Sequence, residues 1–161
     1  MFRRVKDWLL KSSGGQPSPR VFQEAEIATA ALLVEAALMD GHFDEQERET
    51  VTQLLARRFT LPAADARNLL AAAETRHGKA DAVFKFALEA RNAFSEEERE
   101  GLLEMLWATI LSDGTVHMFE DNLMRRIAGL LHVPDRAAGE ARKRAAAKAA
   151  AEAHRARGDG V

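Results

Sequence analysis

One frame occurs twice in this chain. The stretch DGHFDEQE, Asp40 to Glu47, returns 73 residues later as DGTVHMFE, Asp113 to Glu120. The same shift brings Phe43 onto Val116, Val51 onto Met124 and Leu54 onto Ile127. With one residue deleted after that, FTLP at 59–62 falls on LHVP at 131–134. Each copy reads as an apolar helix, an Asp-Gly turn, an amphipathic helix and a proline turn. A helical hairpin cannot bury its apolar face alone, so two copies are expected to pack on each other about a pseudo-twofold axis.

Apolar spacing elsewhere is also helical. Residues 24–39 carry Ile27, Ala30, Ala31, Val34 and Leu38, and Asp40-Gly41 ends that helix because glycine readily takes the left-handed conformation. Residues 45–58 turn Val51, Leu54, Leu55 and Phe59 inward. Residues 62–77 do the same with Ala66, Leu69, Leu70 and Ala73, Pro62 standing in the first turn. Residues 80–91 present Val83, Phe84, Ala87 and Leu88. Ser95 with Glu98 is a capping box, opening a helix lined by Leu102, Leu103, Leu106, Trp107, Ile110 and Leu111. Residues 118–131 offer Leu123, Met124, Ile127, Leu130 and Leu131, and 136–157 form an alanine- and arginine-rich helix that extends past the core. Trp107, Phe84, Phe86 and Phe94 are spaced as core residues, and the methionines as core or core-edge filler. The expected fold is all-α, a compact bundle of about seven to eight helices with an internally duplicated hairpin. Residues 1–20 form a basic helix and linker, 21–134 the body, and 135–161 a C-terminal helix with a frayed end.

The acidic turns admit two readings. With Gly41 at the glycine of a calcium loop, Glu47 takes the closing position and Asp40 the fifth. Asp113, Gly114 and Glu120 match likewise. The first two ligand positions are then Ala36 and Leu38, or Thr109 and Leu111, which belong to a helix. Neither turn is a calcium loop. Taken singly, Asp44 followed by Glu47 is a helix cap. In the second copy the capping position holds His117, a poor cap, yet Asp113 and Glu120 are kept. If the turns converge, Asp40, Glu47, Asp113 and Glu120 supply four carboxylates and His117 a nitrogen, a set suited to a divalent cation.

Other chemistries are narrowed by composition. The chain has no cysteine, which excludes disulfides, thiolate metal sites and a cysteine nucleophile. No glycine-rich phosphate loop and no serine, histidine and acid set of recognisable spacing is present, so an enzyme is not expected. The net charge of −2 makes the whole chain a poor nucleic-acid binder. Cations of the tail, Arg142, Lys143, Arg144, Lys148, Arg155 and Arg157, are interrupted by Glu140 and Glu152, as on a solvated helix. His77 and His132 sit near helix ends, where the dipole favours a cation, while His42 and His117 flank the acidic turns. No apolar run approaches the ~20 residues that span a bilayer, and the start lacks a secretory signal, which points to the cytoplasm.

Charge is unevenly distributed. Residues 1–20 carry five cations against Asp7, a sum of +4, whereas 21–60 hold eight acids against three arginines, a sum of −5. Within the basic arm, Phe2, Val5, Trp8 and Leu9 fall on one face of a short helix, ahead of the linker SSGGQPSPR at 12–20. Such a helix docks on the bundle, on a second copy, or peripherally on a membrane.

The segments AALLVEAALMDGHFDEQERETVTQLLARRFTLP and LLEMLWATILSDGTVHMFEDNLMRRIAGLLHVP resemble the two halves of the TerB-like family, named after tellurite-resistance protein B. VFKFALEARNAFSEEEREGLLEMLW resembles its stand-alone bacterial members, and the likeness covers about residues 24–143. The resemblance implies an all-α bundle with a duplicated core. It also implies a non-enzymatic role tied to tellurite or metal stress, as a metal-sensing or scaffolding module with a protein partner. A related domain precedes the J-domain of a membrane-anchored co-chaperone. The family's acidic positions carry over to Asp40, Glu47, Asp113 and Glu120, whereas His117 stands where an acidic or small polar residue is more usual.

Overall fold

A computed structural model describes residues 21–41, 43–76, 81–112 and 118–158, the side chains at 40, 118 and 119 excepted. The amphipathic segment with Phe2, Val5, Trp8 and Leu9 therefore lies outside the described residues, as do His42, His77, Asp113, Gly114 and His117.

Helix α1 (Glu24–Ala37) has almost no polar face. Ala28, Ala30, Leu32, Leu33 and Val34 are all but sealed from solvent, and even Thr29 is buried. A helix apolar all round is stable only inside a core, and α1 is covered accordingly. Helices α2 (Glu45–Phe59), α3 (Ala63–Glu74), α4 (Ala82–Ala93) and α5 (Glu96–Leu111) all pack on it. Buried Thr29 bonds back to the carbonyl of Ala25 at 2.9 Å, so its hydroxyl costs little.

The remaining helices complete a second copy of the same unit. α6 (Met118–Leu130) and α7 (Asp135–Gly158) pack on α5, as α2 and α3 pack on α1, and α1 meets α5 at the centre. The duplication therefore extends one helix beyond the hairpin expected from sequence. The backbone repeats it in detail. Thr60 and His132, equivalent residues ahead of the two prolines, both take the left-handed conformation, φ 52° and 56°. Leu61 N donates to Ala56 O at 2.9 Å, and Val133 N to Ala128 O at 3.0 Å. The two proline carbonyls then accept from Ala66 and Ala138. The second and third helices are tied by an ion pair in each copy, with the charges exchanged. Arg48 of α2 grips Glu74 of α3 in a bidentate pair, and Asp121 of α6 accepts from Arg142 of α7 at 3.1 Å. Each arginine also lies over an aromatic ring, Arg48 on Phe43 at 5.0 Å and Arg142 on Trp107 at 4.4 Å.

Among the described residues no strand occurs, and no helix is long and apolar enough to cross a membrane. Most expected core positions are buried, with two departures. Phe84 is 48% exposed, because α4 turns Ala82, Phe86, Ala87 and Ala90 toward its neighbours instead. Three alanines on that face let α4 approach closely, and the bulk comes from Phe86. Met39, in the 3-10 turn Leu38–Asp40 that follows α1, is also exposed, at 37%.

Candidate functional site

The first acidic turn is built by local rules. Gly41 sits at φ 84° and its N–H closes the 3-10 turn onto Leu38 O at 3.0 Å. A side chain there would be strained whatever the space around it. The chain then extends through Phe43, which packs against the core, to Asp44. Asp44 Oδ1 accepts from Glu47 N at 2.8 Å, and Glu47 Oε2 accepts from Asp44 N at 3.3 Å. The capping reading of DEQE is thus realised in atoms. It does not exclude a cation, since a carboxylate offers about four lone-pair sites.

The second turn differs in burial. Glu120 is the third residue of α6, as Glu47 is the third of α2. Glu47 is half-buried, whereas Glu120 is only 3% exposed. A carboxylate at that depth requires partners, and Glu120 is not without one. Of the five candidate ligands, Glu47 and Glu120 have described side chains. Asp40 is placed by its backbone alone, at the end of the 3-10 turn. Asp113 and His117 lie outside the described residues. Among the described residues no group of three or more histidines and acids is arranged to hold a metal ion.

The helix ends that flank the two turns are positioned by how α2 lies on α5. Arg58 near the end of α2 donates to Glu98 in the first turn of α5 at 3.0 Å. Gln46, in the first turn of α2, lines the same groove as Leu111 and Ser112 at the end of α5. The helices are therefore antiparallel. The start of α2, just past the first acidic turn, and the end of α5, just before the second, lie toward one end of the bundle.

That groove, about 980 Å³, was not foreseen from sequence. One wall is α2, with Thr50, Leu54 and Arg57. The floor is α5, with Gly101, Met105 and Ala108. The other wall is α7 from Ala145 to Ala153. α7 is held on α5 by buried Ala141 and Ala145 and by Glu104, which accepts from Arg144 at 2.9 Å and Lys148 at 2.5 Å. Three tail cations, Arg142, Arg144 and Lys148, are thus engaged within the fold. His132 Nε2 lies 3.1 Å from Arg91 Nη1. Arginine can only donate, so this nitrogen accepts.

A family model described as "Tellurite resistance protein TerB" matches residues 26–143, from the first turn of α1 into the first half of α7. No curated protein and no solved structure matches the chain.

Proposed function

Because the chain belongs to the tellurite-resistance TerB family, we propose that it is a non-enzymatic helical module that binds a divalent cation at its duplicated acidic turns. The setting is a response to tellurite or metal stress. The carrying observation is that Glu47 and Glu120 are each the third residue of the second helix in a duplicated unit, and that the start of α2 and the end of α5 lie toward one end of the bundle. Asp40, Asp113 and His117 complete the donor set. An oxygen-rich set of this kind favours magnesium, manganese or calcium over softer metals. The cation would bridge the two copies and stabilise the folded chain by mass action.

Calorimetric titration of the full chain with magnesium, calcium, manganese and zinc tests this. Saturable heat is expected with at least one of them. Glu47→Gln and Glu120→Gln should each weaken binding by about tenfold, about 1.4 kcal/mol. Absence of both heat and a thermal shift at millimolar metal would refute the reading.

A further inference from the structure

The groove between α2, α5 and α7 is open along one side, and its lining includes the partly exposed side chains of Leu54, Leu111 and Ala149. α7 itself is only half supported. Ala141 and Ala145 are buried against the bundle, but from residue 146 to 158 every position except Ala149 is exposed. A helical end of that kind gains its stability from packing of one face. Its Ala149, Ala150 and Ala153 face the groove, and such small side chains let another helix approach closely.

The described chain begins at the same place. Gln23, just ahead of α1, lines a second cavity of about 420 Å³ together with Arg58 and Glu98, and Arg58 also borders the groove. The polypeptide therefore reaches the bundle at the end of the groove beside the free-standing part of α7. Upstream lie the nine linker residues 12–20 and the amphipathic stretch 2–11. Nine residues span up to ~30 Å, ample to cross from Val21 into the groove. Ten residues of helix are ~15 Å long. The floor from Gly101 to Ser112 runs ~17 Å by the same rise per residue.

We propose that residues 2–11 fold back as a helix into this groove, setting Phe2, Val5, Trp8 and Leu9 against Leu54, Leu111 and the alanine face of α7. Arg3, Arg4, Lys6 and Lys11 stay at the solvent side. The N-terminal segment thereby supplies the missing packing for the second half of α7.

The absence of native cysteine makes the test direct. In the full chain, Val5→Cys with Ala149→Cys should form an intramolecular disulfide about tenfold faster than Val5→Cys with Lys85→Cys, the raised local concentration of a docked segment being the cause. Lys85 lies on α4, exposed and outside the groove lining. Equal rates for the two pairs would overturn the proposal, and a disulfide between chains would overturn it in favour of a second copy. Independently, Trp8→Ala with Leu9→Ala should speed amide exchange across 146–158. Unchanged exchange there, or protection of 2–11 that arises only with anionic lipid vesicles, would overturn it, the latter in favour of a membrane surface.

Discussion

Thr60 is the most strained described position that carries a side chain. A β-branched residue at φ 52° is an outlier, and Thr60 is exposed, so nothing large is lost by removing its side chain. The left-handed conformation costs an L-residue roughly 1–2 kcal/mol, and glycine returns about half of that as lost chain entropy. Thr60→Gly should therefore stabilise the protein by roughly 0.5–1 kcal/mol, read from urea unfolding. Equivalent His132 should gain less from glycine, because its ring contacts Arg91. Neither residue announced itself in the sequence. Gly41 did, since glycine after a helix is a strong signal, whereas threonine and histidine are not chosen for positive φ. The conformation at 60 and 132 is set by the following Leu61 and Val133, whose N–H groups close back onto the carbonyls of Ala56 and Ala128.

Helical periodicity located the seven α-helices of the described residues to within a few residues but not every face. On α4, Val83-Phe84 and Phe86-Ala87 both make plausible apolar stripes. The choice between them is made by α1 and α6, which pack against it. α7 was harder to read still, because alanine marks an exposed helix and a close helix contact equally well. Its attachment depends on Glu104, and here pH enters. Burial pushes the Glu104 carboxyl up, but hydrogen bonds from Lys148 and Arg144 outweigh that and hold it below its ordinary value of 4.5. A folded-state pKa below the unfolded one means that the contribution is present above the unfolded value and lost as pH falls through the lowered one. Acidification below about 4.5 should loosen α7, seen as faster amide exchange from 141 to 158. Glu104→Gln should remove that part of the pH dependence while weakening the attachment at neutral pH.

The described bundle is a duplicated three-helix unit with α4 between the copies, and the two acidic frames that revealed it are also its candidate site. The repeat was legible because Asp-Gly turns and glutamates keep their spacing in both copies, and the prolines keep theirs but for one deleted residue. The reach of the repeat was not, since α3 and α7 share little beyond helix-forming composition and are matched by their packing on α1 and α5 and by their ion pairs to α2 and α6. Nor could the shared position of the start of α2 and the end of α5 be read from one dimension. It comes from antiparallel contact between α2 and α5, fixed by residues as far apart as Arg58 and Glu98. A cation shared by both copies is the central claim, and manganese tests it most directly because it broadens nearby nuclear resonances. One equivalent of Mn²⁺ added to the full chain should broaden amide signals of residues 41–48 and 118–121 together and at the same concentration. Broadening confined to one turn, or spread over exposed acids such as Glu96 and Glu97 of α5, would contradict a shared site.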